Sequence, residues 1–290
     1  MPRTIGLIAA HSKPQAAALL QEVRPYLVRA GCLLVDEAEL ANTDLSVLDA
    51  IVVLGGDGLM MRAANTFPDV PLLGINFGKV GFLAMVEQRD WRPALDALLS
   101  GDYRVDNGST LNAVVERDGA STDLGWAIND VVVRGGVRMV EIEVYIDGQY
   151  VNTYPGDGMI VSTPRGSTAY GMAAGGPILT AGVRGFAIVP ISCHSPIRTP
   201  FVVAESSATK LLVASKHDAS LILDGRPTEE LRERDVVKVT RGAHEFRMVT
   251  LASMNFYEAF RSKFNFRIRP DAVPTLNDPP VVTGPESSAV

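Results

Sequence analysis

Cysteine, long apolar runs and surplus positive charge are all scarce in this sequence, and each shortage excludes a class of protein. The 290 residues include two cysteines, Cys32 and Cys193, without CxxC or Cys/His spacing, which argues against a disulfide framework or a zinc site. No uncharged apolar run reaches about 18 residues, so we expect no membrane-spanning helix and no membrane partner. The formal net charge of −6 argues against a nucleic-acid partner, because phosphate backbones are held by clustered Lys and Arg.

The composition is that of an ordinary globular protein, with 47% hydrophobic and 21% charged residues. A chain of 290 residues with this composition predicts two domains. The N-terminal apolar stretch at residues 4–10 is too short for a secretory signal peptide and is typical of a first strand. We therefore expect a cytoplasmic location.

The first hundred residues alternate short apolar runs with helix-type patterns, which is typical of βαβ units and a largely parallel sheet. Strands are predicted at residues 4–10, 33–35, 50–54 and 70–75. A helix is predicted to begin at Pro14 and to end before Gly31. Its expected apolar face consists of Ala17, Leu20, Val23, Leu27 and Val28.

Beyond Gly101 the pattern changes to alternation with a period of two residues, which indicates antiparallel strands. The clearest run is 141–146, followed by the turn signal Asp147-Gly148. Further strands are predicted at 158–162, 186–191, 210–215, 220–223 and 236–240. We expect an α/β domain over residues 1–102, completed by a C-terminal helix at 254–268. A β-rich domain is expected over 103–253, and a disordered tail over 270–290.

Gly55-Gly-Asp-Gly58 follows the buried strand at 50–54 and is the first candidate for chemistry. Gly55, Gly56 and Gly58 let backbone N–H groups approach a phosphate at the positive end of the next helix. An anionic side chain in such a turn is unfavourable unless it binds a metal or accepts a hydroxyl proton, so Asp57 is the predicted catalytic residue. The alternative is a solvated aspartate in an ordinary turn.

Two later segments are also candidates for binding. Asn129-Asp130 stands at a strand entrance and can hold a nucleoside by paired hydrogen bonds, although alone it reads more simply as a turn. Residues 156–178 are predicted to form a strand, a glycine turn and the hydroxyl-rich N-terminus of a helix. Ser167 or Thr168 is predicted to cap that helix, and Tyr170 offers a face for stacking. A purely structural cap with a core tyrosine is the alternative.

The three segments occur in an order and spacing that resemble the NAD kinase family. The glycine-rich stretch at 73–83, the segment at 194–202, Leu223-Asp-Gly-Arg226 and Asn255-Phe-Tyr257 are also similar to that family. The long third motif is highly specific, whereas GGDG is shared with diacylglycerol-type lipid kinases. The resemblance implies an α/β N-terminal domain with a Rossmann-like parallel sheet and a β-rich C-terminal domain.

The resemblance also implies a reaction, in which the γ-phosphate of ATP, or alternatively the terminal phosphate of polyphosphate, passes to the 2′-hydroxyl of NAD. Mg²⁺ is expected to arrive on the donor phosphates, with no metal ligand assigned to the protein. A homodimer or homotetramer is expected, because relatives complete their sites across a subunit interface. The NAD-binding residues implied are Asp57, Gly58, Phe77, Asn129, Asp130, Arg138, Asp157, Thr168, Ala169, Tyr170, Ala173 and Arg226.

Three positions depart from the family pattern. Leu59 stands where a threonine usually follows GGDG, so a hydroxyl contact to phosphate is lost there. Arg165 replaces a Thr or Ser, and its guanidinium either pairs with a phosphate or points to solvent. Ala173 replaces a common serine. Two other functions stay open at this point: a lipid or sugar kinase that uses the same GGDG turn, and an NADP-binding module without catalysis.

Overall fold

The computed structural model describes residues 2–77, 81–180, 182–196 and 198–264. Within that part of the chain there are six α-helices and seventeen strands. The helices are α1 Pro14–Arg29, α2 Glu37–Leu40, α3 Asp57–Thr66, α4 Trp91–Ser100, α5 Tyr170–Ala173 and α6 Phe256–Phe264. The strands before residue 140 are β1 Thr4–Ala9, β2 Leu33–Asp36, β3 Ala50–Leu54, β4 Leu72–Asn76, β5 Val86–Glu87, β6 Arg104–Arg117, β7 Ala120–Ala127 and β8 Asp130–Gly135. The remaining strands are β9 Val140–Ile146, β10 Gln149–Gly156, β11 Gly158–Ser162, β12 Gly185–Ile191, β13 Phe201–Ala204, β14 Thr209–Val213, β15 Ala219–Leu223, β16 Arg226–Leu231 and β17 Val236–Thr250.

The N-terminal part is an α/β layer around a parallel sheet in the order β2-β1-β3-β4. Strands β3 and β4 are buried at every residue, as expected for a parallel sheet covered on both faces. Helix α1 begins at Pro14, as predicted, and the predicted Val23 and Leu27 are buried. Ala16 and Leu19 are buried instead of Ala17 and Leu20, and Val28 is 56% exposed. In its first half, the predicted apolar face of the helix is therefore displaced by one residue from the buried face.

Strand β17 joins this parallel sheet to the antiparallel strands that follow. Its C-terminal end pairs in parallel with β4 through Met248 and Leu72, and its whole length pairs antiparallel with β6. In the described chain the resulting sheet has eleven strands, with the main path β10-β9-β14-β17-β4-β3-β1-β2. The α/β and β-rich parts therefore share one backbone hydrogen-bond network.

A second antiparallel sheet has the order β13-β12-β11-β8-β15-β16 among the described residues. Its inner face packs on the antiparallel part of the first sheet, and the core between them contains Val131, Val144, Val161 and Leu221. This β-rich layer confirms the predicted fold class. The alternation at 141–146 is strand β9, with Val140, Ile142 and Val144 buried.

Helix α6 packs against the loop that follows β4 in the α/β part. The ring centroid of Phe256 lies 5.8 Å from that of Phe82, and Ala259 is buried. The expected extension to residue 268 and the expected tail at 270–290 lie outside the described residues. None of the described helices is long and apolar enough to cross a membrane. Cys32 and Cys193 are buried and free.

Candidate active site

The Gly55-Gly-Asp-Gly58 turn lies where β3 ends and α3 begins. The N–H of Gly55 donates to the carbonyl of Ile75 in β4 at 2.9 Å, so this N–H is not available to a phosphate. A side chain at Gly55 would meet Leu59, because a Cβ there would lie 2.5 Å from Leu59 Cδ2. Leu59 therefore fills the space over Gly55. Phosphate contacts from Gly56 and Gly58 stay a prediction.

Asp57 is the first residue of α3, and its carboxylate is held by the loop that follows β4. Oδ2 accepts the N–H of Phe82 at 2.9 Å, and Oδ1 accepts those of Leu83 and Ala84 at 3.1 and 3.0 Å. The loop reaches the carboxylate only because residue 81 is glycine: a Cβ there would lie 1.8 Å from Asp57 Oδ1. The carboxylate is thus fixed in position by backbone donors.

Asp130 is buried at the start of β8, with 5% of the residue exposed. Burial, together with the nearby charge of Asp224, raises the pKa of Asp130 to about 7. The neighbouring Asn129 donates from Nδ2 to the sulfur of Met61 at 3.3 Å, which links it to α3. Asp224 was not assigned to the site from the sequence, although it belongs to the stretch Leu223-Asp-Gly-Arg226 that resembles the family.

The glycine-rich third segment adopts a 3-10 helix, Gly166–Thr168, followed by the short helix α5. The predicted cap is wrong, because α5 has Ala169 at its N-cap and no side chain caps it. Ser167 Oγ instead donates to the carbonyl of Pro164 at 2.7 Å, and Thr168 Oγ1 donates to that of Arg165 at 3.2 Å. Tyr170 is half-buried against the cluster around Ile160 rather than free for stacking on both faces.

A cavity of about 600 Å³ lies between the glycine-rich third segment and the loop that follows β4, and Asp57, Asn129 and Asp130 are not among its lining residues. Phe82, Arg165, Thr168 and Phe256 are among its lining residues. Since the N–H of Phe82 also reaches Asp57, the cavity borders the loop that holds the catalytic candidate. Its size is ordinary for a small-molecule site.

Arg165 forms an inner wall of this cavity. Its side chain is 13% exposed, and its Nη2 lies 3.8 Å from Asp106 Oδ2. The guanidinium also lies over the ring of Phe246, 5.8 Å from the centroid. Burial lowers the pKa of Arg165, against the opposing effect of Asp106. Of the two alternatives stated for this residue, the one in which it points freely to solvent is therefore excluded.

The structure brings Phe82, and not Phe77, to the cavity. Phe77 packs against the core of the α/β part. Phe82 stands five residues later in the same glycine-rich stretch and was not assigned to the site from the sequence. The binding role of Phe77 stays a prediction without support from the cavity lining.

Asp157 and Arg138 lie away from Asp130 within one chain. Strands β8 and β11 pair with Asp130 opposite Ser162 at one end and Arg134 opposite Gly158 at the other. Four residues of strand separate those ends by about 14 Å. Asp157 and Arg138 both belong to the far end, and both are exposed. Ala169, Ala173 and Arg226 are exposed as well, and Arg226 opens β16 beside Asp224.

A protein-held metal is not supported by the arrangement of side chains. Within the described residues no group of three or more His, Cys, Asp or Glu side chains is placed to hold a metal ion. Asp57 offers one carboxylate, and that carboxylate already accepts backbone N–H groups.

Comparison with known proteins places this architecture in one family. Residues 37–103 match the ATP-NAD kinase N-terminal domain, and residues 128–251 match the ATP-NAD kinase C-terminal domain. The chain is 53% identical over 275 residues to an NAD kinase of Thermomicrobium roseum, covering 95% of this chain and 96% of that protein. The chain belongs to the NAD kinase family. A second member, from Heliobacterium modesticaldum, is 36% identical and matches over 90% of this chain and 98% of its own length.

Solved structures from the same family share the fold. The yeast NADH kinase, complexed with NADH, matches with a TM-score of 0.77 at 18% identity, over 95% of this chain and 90% of that one. An NAD kinase from Archaeoglobus fulgidus, in complex with ATP, gives a TM-score of 0.70 at 21% identity, over 91% and 98% of the two chains.

Proposed function

We propose that this member of the NAD kinase family transfers the γ-phosphate of ATP to the 2′-hydroxyl of the adenosine ribose of NAD, with Asp57 as the catalytic residue. The observation that supports this assignment most directly is that Phe82 contacts both the catalytic candidate and the cavity. Its backbone N–H holds the Asp57 carboxylate, and its side chain lines the cavity that also contains Thr168 and Arg165.

Asp57 acts late in this mechanism. A carboxylate is far too weak a base to deprotonate a ribose hydroxyl before transfer, so it orients the hydroxyl and takes the proton as the bond to phosphorus forms. Both carboxylate oxygens accept loop N–H groups, so the hydroxyl has to share the carboxylate with the loop or displace a donor. The position of the loop therefore controls access to the base.

The substrate is divided among the segments in the way that family resemblance implies. Asn129 and Asp130 hold the nicotinamide side of NAD, and Asp157, Thr168, Ala169 and Tyr170 surround the adenosine. Arg165 pairs with phosphate oxygens from the cavity wall, which its restricted exposure and planar fork favour. Mg²⁺ arrives with the donor, where it neutralises charge on the phosphates. The donor is ATP in this proposal, with polyphosphate as an alternative that the assay below includes.

The separation of Asp157 and Arg138 from Asp130 supports a site shared between two copies of the chain. The β8–β9 loop that carries Arg138 also exposes two apolar side chains, Val137 fully and Met139 by 43%. Exposed apolar residues on a loop favour burial in an interface. A homodimer or homotetramer in which Asp157 and Arg138 reach the partner's cavity accounts for both features.

Subunit mixing tests the shared site. Asp57→Asn and Asp157→Ala are each expected to be inactive alone. Co-refolded in equal amounts as dimers, they should regain about one quarter of wild-type turnover, because half the dimers are hybrids and one of two sites in each hybrid is intact. Failure of the mixture to regain activity contradicts the shared site, provided that native mass spectrometry of differently tagged chains confirms hybrid oligomers.

One substrate comparison tests the reaction itself. Purified protein is incubated with labelled ATP or polyphosphate and with NAD, NADH or diacylglycerol. NADP formation from ATP and NAD is the expected result, whereas labelled lipid alone would favour the lipid kinase reading. NAD binding without any phosphorylated product would favour the module without catalysis. The absence of nucleic-acid and membrane partners and the cytoplasmic location stay predictions from composition.

A further inference from the structure

Asp224 stands in a two-residue hairpin turn, and two other turns of the described chain are built in the same way. Asp118-Gly119, Asp147-Gly148 and Asp224-Gly225 all have positive φ at both positions, with values of 50°, 50° and 49° at the aspartates. This conformation favours Asp-Gly, so the turn alone explains an aspartate at each place. The three aspartate carboxylates differ in the groups that they contact.

The Asp224 carboxylate binds the backbone at the entrance of β8, almost a hundred residues away in sequence. Oδ1 accepts the N–H of Asn129 at 2.7 Å and that of Asp130 at 3.3 Å, and Oδ2 accepts the N–H of Ile128 at 2.9 Å. The N–H of Asp224 in turn donates to the carbonyl of Asp130 at 3.0 Å. Four hydrogen bonds therefore fix residues 128–130 to one side chain and its backbone.

The opposite side of the same segment contacts the glycine-rich turn that carries Thr168. The carbonyl of Asn129 accepts the N–H of Thr163 at 2.9 Å, and that of Ile128 accepts Thr163 Oγ1 at 2.6 Å. Gly166 packs so closely that a Cβ there would lie 2.0 Å from the Asn129 carbonyl oxygen. A shift of residues 128–130 is therefore transmitted to the Gly166–Thr168 turn.

We propose that Asp224 is a positioning residue for NAD, holding the Asn129-Asp130 entrance and, through it, the turn of Thr168 in the binding arrangement. The inference rests on the proposed function for the identity of the ligand. The hairpin does not require a carboxylate at residue 224, because asparagine also adopts positive φ in this turn. The negative charge of Asp224 lies next to the buried Asp130, and burial together with that charge raises the pKa of Asp130. Two neighbouring carboxylates destabilise the fold, so stability does not explain the presence of Asp224.

The test compares Asp224→Asn with the matched turn variant Asp147→Asn. Asp147 also accepts a distant N–H, that of Ala208 at 2.8 Å, but its hairpin lies outside the site. Asparagine keeps the turn and removes the charge and one accepting oxygen. Hydrogen bonds to a charged group imply that Asp224→Asn raises the KM for NAD about tenfold to a hundredfold. The KM for ATP and the kcat should change much less, and Asp147→Asn should leave all three constants unchanged.

Two results would overturn the proposal. One is an unchanged KM for NAD in Asp224→Asn, and the other is an equal rise in both KM values, which a general loss of structure produces. A second measurement on the unaltered chain keeps the proposal testable when the variant is unstable. NAD should slow amide hydrogen exchange at residues 128–130 but not at Ala208, and unchanged exchange at both places contradicts the proposal. Failure of the wild type to form NADP refutes the proposed function instead, while the exchange experiment still reports on positioning.

Discussion

Gly81 offers a direct perturbation of the catalytic candidate, because its missing side chain is what lets the loop approach Asp57. A Cβ at residue 81 would lie 1.8 Å from Asp57 Oδ1, whereas real Cβ contacts stay above 3.0 Å. In Gly81→Ala the carboxylate or the loop therefore has to move by about 1.2 Å, and the N–H bonds from Phe82, Leu83 and Ala84 lengthen or break. Displacement of a reacting group by about 1 Å costs on the order of a hundredfold in rate.

Steady-state NADP formation by Gly81→Ala is the assay, with the unfolding midpoint measured in parallel. The kcat should fall about a hundredfold, equivalent to about 2.7 kcal/mol of activation free energy. Gly148→Ala is the control, since Gly148 has φ of +80° in a remote hairpin with no atom near its Cβ position. That variant should lose about 1 kcal/mol of stability and keep its activity. A Gly81→Ala enzyme with wild-type kcat would refute the role given to the loop.

Two further predictions concern stability. Arg117 Nη2 lies 2.7 Å from the carboxylate of Asp235, whose side chain is 2% exposed while that of Arg117 is 32% exposed, so Arg117→Met should lower the free energy of unfolding by about 1.5–3 kcal/mol in urea titrations. Arg89→Met, which removes a 77% exposed side chain paired with the exposed Glu87 and Asp90, should cost less than about 1 kcal/mol, and equal losses would contradict the burial argument. The second prediction uses the raised pKa of Asp130, about 7, which makes the folded state bind the proton more tightly than the unfolded chain. The contribution of Asp130 to the free energy of unfolding should therefore fall as pH rises from about 4 to about 7, and the stability of Asp130→Asn relative to wild type should rise by up to about 4 kcal/mol between pH 4 and pH 8. A stability difference that is constant across this range would show that Asp130 titrates normally.

Local patterns predicted β1 to β4 and several strands of the β-rich part, because burial on one or both faces leaves a direct signal in the sequence. The strands β6, β7, β10, β13 and β16 were not predicted. The continuous apolar run at 50–54 is β3, and the alternating run at 141–146 lies within β9. Strand β17 was predicted only to residue 240 and extends to Thr250, since its register shifts between Arg241 and Glu245 and polar residues interrupt the pattern there. Its pairing with β4, which joins the two parts, depends on contacts that no local pattern records.

The candidate site was predictable to the level of motifs and not of side-chain contacts. Asp57 and Thr168 were found from short motifs, and the cavity and its loop connect them. The choice between Phe77 and Phe82 depends on which ring turns into the cavity, which spacing within a glycine-rich loop does not determine. The contact of Asp224 with residues 128–130 crosses two adjacent strands, so it follows from sheet order and register rather than from sequence proximity.

The most direct measurement of the central claim is NAD binding and NADP formation by Asp57→Asn on the same preparation. Asparagine retains the size of the side chain and one oxygen that can accept the N–H groups of Leu83 and Ala84, but it loses the second accepting oxygen and does not take a proton from the ribose hydroxyl. Calorimetry should therefore show NAD binding within a few-fold of wild type, while NADP formation falls to background. Turnover close to that of the wild type would contradict the assignment of Asp57 as the catalytic residue.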